Sequence, residues 1–97
     1  MLLDAHGNYT LVARLVASEL KVPFFDMQYL TENLEMSYGV EGSKKLHLQF
    51  AKGENEFFPD GIDDNTHLSV LGANEIAKIF VSELKRQKHP LQKYLNE

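Results

Sequence analysis

An aspartate and a histidine that lie three residues apart, Asp64 and His67, have the types and spacing to do chemistry together. At this spacing the Asp64 carboxylate can accept a hydrogen bond from Nδ1 of His67. That bond fixes the tautomer and leaves Nε2 to take a proton from a hydroxyl group. The pair would supply a base and its orienting group, two of the three parts that activate a nucleophilic serine. A second interpretation stays open, in which Asp64 only makes turn hydrogen bonds beside a solvated His67.

The serines of the chain do not complete such a triad. Ser69 lies two residues after His67 and is better explained as the N-cap of a helix. Ser43 follows a glycine, but no Gly-x-Ser-x-Gly or Gly-Asp-Ser sequence surrounds it. The remaining serines fall in helical segments, at Ser18, Ser37 and Ser82. The sequence therefore predicts a base and its orienter without a nucleophile.

Metal and cofactor chemistry has little support in the sequence. Asp60, Asp63 and Asp64 cluster as calcium ligands can, but the loop lacks the glycine and glutamate of an EF-hand, which favours a solvated acidic turn. The chain has no cysteine, so thiolate metal sites, disulfides and cysteine nucleophiles are excluded. The histidines are scattered, at His6, His47, His67 and His89. We expect no metal site and no cofactor.

The composition is that of one small globular domain. The chain has 97 residues, which is too short for two domains. Its hydrophobic content of 43% is ordinary for a globular protein. Ten basic residues against fourteen acidic ones give a net charge of -4, so we expect neither nucleic acid nor an anionic membrane as a partner. No apolar run approaches the roughly 20 residues of a membrane span, and the first residues lack the features of a signal peptide. The sequence indicates no compartment.

Two helices are predicted on either side of a short strand. The first helix should run from Tyr9 to Leu20, and the second from Met27 to Tyr38, where Gly39 stops it. Between them, the apolar run Val22 to Phe25 is typical of a buried parallel strand. Asp26 closes this strand, and it either shapes a pocket at the strand end or acts as a structural cap.

The second half of the chain should place Asp64 on a polar loop. Gly42 to Lys45 is predicted as a turn or short helix, and Leu46 to Phe50 as a strand. Ala51 to Thr66 is rich in glycine, proline and aspartate, which favours turns. The buried parallel strand predicted at Val22 to Phe25 is not stable by itself, because such a strand needs neighbours on both sides. The remaining strands of its sheet are therefore expected to come from elsewhere.

The final helix is the clearest predicted element. Its apolar residues form one stripe from Ala73 to Leu84. Ser69 is the predicted N-cap, and Lys85 and Arg86 lie near the C-terminal end, where cations are favoured. Pro90 should block any further helix.

The sequence around Asp64 and His67 resembles the terminal block of SGNH, or GDSL-like, hydrolases. The resemblance is carried by Asp64-Asn65-Thr66-His67-Leu68, followed by Gly72-Ala73 and an amphipathic helix. Four further segments look like rhamnogalacturonan acetylesterase-like members of that family: residues 4–9, 20–26, 42–46 and 59–61. The match covers nearly the whole chain in the same order.

This resemblance implies a fold and a reaction. The fold would be α/β, with residues 1–97 forming the C-terminal portion of a single flavodoxin-like three-layer α/β/α SGNH hydrolase domain. The reaction would be the hydrolysis of O-acetyl esters on a pectic, rhamnogalacturonan-type polysaccharide or oligosaccharide. In it Asp64 would be the triad orienter and His67 the general base.

The chain departs from the family because the Gly-Asp-Ser nucleophile block and the glycine and asparagine blocks of the oxyanion hole are absent. We therefore expect it to be inactive alone. It should pair with a missing N-terminal part or associate with itself, through the Val22 to Phe25 edge or the face of Phe80 and Leu84. The alternative is a non-catalytic interaction or oligomerisation module derived from such an enzyme.

Overall fold

The computed structural model describes residues 7–96, which form α-helices around a two-stranded antiparallel sheet. In chain order the elements are α1 (Asn8–Leu20), α2 (Met27–Gly42), β1 (His47–Phe50), β2 (Ile62–Leu68) and α3 (Val70–Arg86), with 3₁₀ turns at Ser43–Leu46 and Pro90–Tyr94. This is a small mixed α/β arrangement, compatible with part of an α/β hydrolase-like fold. The three-layer sandwich stays a prediction.

Helix α1 confirms the first predicted helix and begins one residue earlier, at Asn8. Lys21 ends the helix in the left-handed conformation (φ 54°), and its N–H donates back to the carbonyl of Ser18 at 3.3 Å. Ala17 is buried. Five of its apolar side chains are exposed, at Leu11, Val12, Leu15, Val16 and Leu20. The apolar stripe that predicted this helix therefore lacks a cover among residues 7–96.

The predicted strand at Val22 to Phe25 is wrong. The segment has no strand pairing within the described part of the chain, and a strand exists only where a neighbour supplies its hydrogen bonds. It packs against α3 instead: the ring of Phe25 lies 4.9 Å from that of Phe80, and the Phe24 carbonyl accepts a 2.7 Å bond from Gln87. Of the face predicted for association, Leu84 is buried while Phe80 is 38% exposed.

Asp26 caps α2, one of its two predicted roles. Its side chain accepts from the N–H of Tyr29 at 3.3 Å and is ion-paired with Arg14 of α1 at 2.8 Å. Hydrogen bonding from Arg14 holds the pKa of Asp26 below its usual value. The predicted stop at Gly39 appears as a kink (φ 77°, ψ 176°), after which one more turn reaches Gly42.

Strand β1 was predicted, and its partner β2 was not. The segment from Ile62 to Thr66 was expected to be loop and is strand, because β1 supplies hydrogen bonds that its polar residues would not attract alone. His47 pairs with Leu68, but Leu48 pairs with Asp64. One step along β1 thus spans four residues of β2. Residues 65–67 form a bulge without ladder partners on β1.

Helix α3 is confirmed as predicted, with Ser69 as its N-cap. The Ser69 hydroxyl accepts from the N–H of Gly72 at 3.1 Å and donates to the Lys45 carbonyl at 2.6 Å. Leu46, which precedes β1, is 1% exposed and forms the centre of the small core. As predicted, α3 does not continue through Pro90, since the helix ends at Arg86 and a separate 3₁₀ turn follows. That turn begins at Pro90 because proline suits a first helical position, where no N–H is needed.

The apolar residues that the fold buries are few: Ala17, Leu46 and Leu84 among the described residues. The radius of gyration is 16.3 Å, against roughly 12.5 Å for a compact domain of this length. The accessible surface is 7638 Å², against roughly 5,700 Å² for a compact monomer of this mass. Among residues 7–96, no helix is both long enough and apolar enough to cross a membrane.

We expect the purified chain to self-associate through the exposed apolar side of α1, because burying apolar side chains away from water lowers the free energy. Light scattering should give at least twice the monomer mass of 11.1 kDa. Leu15→Glu should return the mass toward the monomer. Leu91→Glu is the matched control, because Leu91 is as exposed as Leu15 but lies beyond α3. A monomer with cooperative unfolding would contradict the prediction.

Candidate catalytic pair

The bulge in β2 brings Asp64 and His67 together. Asp64 is the last paired residue before the bulge and His67 is its final member. Oδ2 of Asp64 lies 2.8 Å from Nδ1 of His67, which confirms the contact predicted from their spacing. Bulges in antiparallel sheets commonly re-aim a side chain beside an active site. Here the bulge lets two residues three apart face each other.

The second carboxylate oxygen of Asp64 accepts the turn hydrogen bonds that the other interpretation of the spacing predicted. Oδ1 accepts from the N–H of Thr66 at 2.7 Å and from that of His67 at 3.1 Å. The two interpretations of the spacing are therefore compatible, since one oxygen holds the backbone and the other holds the ring. Both oxygens are used, so the carboxylate has a single well-defined orientation.

The hydrogen bond from the His67 ring, followed by those from the two backbone N–H groups, lowers the pKa of Asp64. A carboxyl with a lowered pKa keeps its charge as the pH falls through the ordinary aspartate value, and loses the charge only below the lowered pKa. Asp64 therefore remains an acceptor for His67 at neutral and mildly acidic pH. An acceptor at Nδ1 places the free lone pair of a neutral imidazole on Nε2.

His67 presents the other side of its ring to solvent. The side chain is 72% exposed, and within residues 7–96 Nε2 makes no hydrogen bond. A group approaching from outside could therefore give a proton to Nε2 without displacing a partner. Geometrically the pair can act as a general base with its orienter.

The serines lie where the sequence predicted, away from a nucleophile's position. Ser69 caps α3, while the hydroxyls of Ser37 and Ser43 donate to backbone carbonyls of their own helical turns. Ser18 and Ser82 lie within α1 and α3. No serine in the described part of the chain is hydrogen-bonded to His67.

The acidic cluster does not form a metal centre. Oδ1 of Asp63 and the side-chain oxygen of Asn65 each accept a 2.6 Å bond from Gln49. Across residues 7–96, no three acidic, histidine or cysteine side chains are grouped to hold a metal ion. His89 caps the last 3₁₀ turn, and His6 lies outside the described residues.

Sequence reasoning missed His47 of β1. Its Nε2 lies 2.5 Å from Oε1 of Glu35 on α2, and its Nδ1 lies 3.3 Å from the backbone oxygen of His67. These partners are 12 and 20 residues away along the chain, so no local spacing signals the contact. Only the pairing of β1 with β2, once known, brings His47 to the site.

Comparison with known proteins gives one informative relative. The chain is 39% identical over 89 residues to the rhamnogalacturonan acetylesterase RhgT of Bacillus subtilis (strain 168). The aligned region covers 92% of this chain and 38% of that enzyme, so the chain spans well under half the length of its relative. No protein-family profile matches the chain. No solved structure matches it either. The chain is a partial homologue of a rhamnogalacturonan acetylesterase, which supports a carbohydrate esterase origin.

Proposed function

We propose that this chain supplies the Asp64–His67 half of a Ser-His-Asp triad in a carbohydrate O-acetylesterase of the SGNH type. The observation that carries the proposal is the 2.8 Å contact between Oδ2 of Asp64 and Nδ1 of His67, with the rest of the ring open to solvent. The substrate class is an acetylated polysaccharide or oligosaccharide of the rhamnogalacturonan type. This part of the proposal comes from the name of the relative.

In the proposed reaction, Nε2 of His67 removes the proton of a serine hydroxyl as its oxygen attacks the acetyl carbonyl. The ring then gives that proton to the sugar oxygen that leaves. In a second round His67 takes a proton from a water molecule as the water oxygen attacks the acetyl group now carried by the serine, and returns that proton to the serine oxygen as acetic acid leaves. Asp64 keeps the ring in the correct tautomer and stabilises the positive charge that forms on it at each round.

The serine in this reaction must come from outside residues 7–96. No serine there is bonded to His67, and each serine with a hydrogen-bond partner is engaged in a cap or helical turn. We therefore propose that an N-terminal part or a partner chain brings the nucleophile and the oxyanion-hole donors to the exposed side of His67. The isolated chain should then have essentially no esterase activity.

The alternative function is a non-catalytic interaction or oligomerisation module. The exposed apolar side chains of α1 favour it, because a surface of this kind recruits a partner whether or not chemistry follows. Under the alternative, the Asp64–His67 contact would stabilise the bulge and do nothing more.

A chimera separates the two functions. The aligned 89-residue stretch of the Bacillus subtilis enzyme would be replaced by the matching residues of this chain. The chimera should release acetate from acetylated rhamnogalacturonan, while the isolated chain should not. Circular dichroism and thermal melting establish that the chimera is folded. A folded chimera without activity would count against the triad role and favour the interaction module.

A further inference from the structure

We propose that His47 is a positioning residue for His67 and that Glu35 holds His47 in the orientation this requires. The inference rests on the proposed role of His67 as general base, and it adds two residues that neither the spacing of the motif nor the comparison with the relative assigns. It is carried by a chain of hydrogen bonds that runs from α2 through β1 to the bulge of β2.

The need for such a residue follows from the bulge. Residues 65–67 have no ladder partners on β1, although Asp64 and Leu68 on either side of them do, so the sheet ladder does not directly fix the backbone that carries the His67 ring. Packing does not fix the ring either, since the side chain is 72% exposed. The position of His67 must therefore be set by individual hydrogen bonds, as catalytic groups require placement within a fraction of an ångström.

Three atoms of His67 are held by such bonds. Asp64 holds two of them, accepting from the backbone N–H at 3.1 Å and meeting Nδ1 of the ring at 2.8 Å. His47 holds the third, with its Nδ1 lying 3.3 Å from the His67 backbone oxygen. Asp64 lies on the same strand as His67, as the last ladder-paired residue before the bulge. Among residues 7–96, His47 makes the hydrogen bond that ties His67 to a different element.

Glu35 determines which nitrogen of His47 faces the bulge. Its Oε1 lies 2.5 Å from Nε2 of His47, and the two side chains are only 22% and 16% exposed. A backbone oxygen can only accept, so Nδ1 of His47 must carry a proton in the bond to His67, and the contact with Glu35 then needs a second proton between Nε2 and Oε1. With Nε2 held by Glu35, the imidazole cannot turn away without breaking a partly buried polar contact.

Gln49 holds the other end of the bulge from the same side of β1. His47 and Gln49 are two residues apart on a strand, so their side chains leave it on one face. Gln49 donates to Asp63 and Asn65, the neighbours of Asp64, at 2.6 Å each. Side chains on one face of β1 therefore hydrogen-bond to both ends of the bulge. Of these side chains, His47 contacts the proposed base itself.

Two substitutions at position 47 separate the two nitrogens of the imidazole. In His47→Asn the side-chain amide nitrogen can stand close to the place of Nδ1 and still donate to the His67 oxygen. In His47→Gln the amide nitrogen instead reaches toward Glu35, and the donor to His67 is lost. The full chain labelled with ¹⁵N at histidine reports the tautomer of the His67 ring and the solvent exchange of its Nδ1 proton by NMR.

We expect His47→Gln to speed exchange of the His67 Nδ1 proton by about 5- to 10-fold, as for the loss of one hydrogen bond, and to mix its tautomers. His47→Asn should stay close to the unsubstituted chain. His89→Gln is the matched control, because His89 caps the C-terminal 3₁₀ turn, and it should leave the His67 signals unchanged. If His47→Gln fails to fold, Glu35→Ala replaces it, since it keeps the imidazole and removes the group that orients it.

Equal exchange rates in the unsubstituted chain and the variant lacking the donor would overturn the proposal. Equal acceleration in His47→Gln and His47→Asn would also overturn it, because the donor to the His67 oxygen would then not be the operative group. These signals need no ester turnover. An inactive chimera would therefore remove the proposed function and leave this measurement intact, while an active chimera with unchanged exchange would remove only the role of His47.

Discussion

In the chimera with the Bacillus subtilis enzyme, His67→Ala is expected to lower kcat by about 10⁶-fold, and Asp64→Asn by about 10⁴-fold. The larger loss falls on His67 because its ring is the proposed acceptor of the serine proton, whereas Asp64 acts only through that ring. Asp64→Asn keeps the shape of the side chain but puts an amide where the ring needs a pure acceptor, which permits the wrong tautomer. Acetate release from acetylated rhamnogalacturonan, measured as kcat and KM separately, checks both values.

The two variants should leave KM nearly unchanged, because neither residue is proposed to bind the ground-state substrate. The double variant should be no worse than His67→Ala alone, since Asp64 acts only through the ring. Asp63→Asn is the matched control: it sits beside Asp64 without touching His67, and the amide oxygen of the asparagine can still accept from Gln49. Losses below tenfold in His67→Ala would mean that the enzyme's base lies elsewhere, and the triad interpretation would fail.

The local part of the site was predictable from the sequence. The distance between Asp64 and His67 depends on two residues three apart and on hydrogen bonds that close within that short segment. The same holds for Ser69, whose capping bond to Gly72 spans three residues. Such contacts depend on residue type and spacing, which a single sequence carries, although the bulge that turns Asp64 and His67 toward each other also depends on pairing with β1.

The predictions that were wrong or missing concern contacts between residues that lie far apart in the chain. Val22 to Phe25 has the composition of a strand, but strand formation requires a neighbour, and among residues 7–96 its side chains find α3 instead. The segment from Ile62 to Thr66 has the composition of a loop, but β1 pairs with it. His47 was missed for the same reason, since Glu35 and His67 reach it only after the strands align.

Gly72→Ala is expected to destabilise the chain by about 3 kcal/mol or more, which is the cost of a strong steric conflict in a packed site. A Cβ at this position would stand 1.9 Å from the backbone oxygen of Leu46 and 2.8 Å from its carbonyl carbon. Backbone atoms cannot swing aside as a flexible side chain can, so α3 must move away from the 3₁₀ turn that precedes β1. The higher helix propensity of alanine returns only about 1 kcal/mol.

A movement of α3 would disrupt the contacts around Leu46, at the centre of the small core. The same Leu46 oxygen accepts from the N–H of Ser69 at 3.0 Å, and the Ser69 hydroxyl donates to Lys45 at 2.6 Å. Both bonds dock the start of α3 on the chain just before β1, and Leu46 is the most buried side chain among the described residues. Because Ser69 lies two residues after His67, the strain would also reach the bulge.

Thermal unfolding measures this effect, with Gly42→Ala as the matched control. An alanine Cβ at position 42 would meet only the Tyr38 side chain, at an ordinary 3.6 Å, and the backbone there is right-handed helical. Gly42→Ala should therefore be neutral or stabilising by up to about 1 kcal/mol. In Gly72→Ala, Tm should fall by about 12–24 °C for a domain of this size, or cooperative unfolding should vanish. Equal Tm values for the two variants would mean that α3 does not rest on the Leu46 backbone, and the docking that positions Ser69 and the bulge would be wrong.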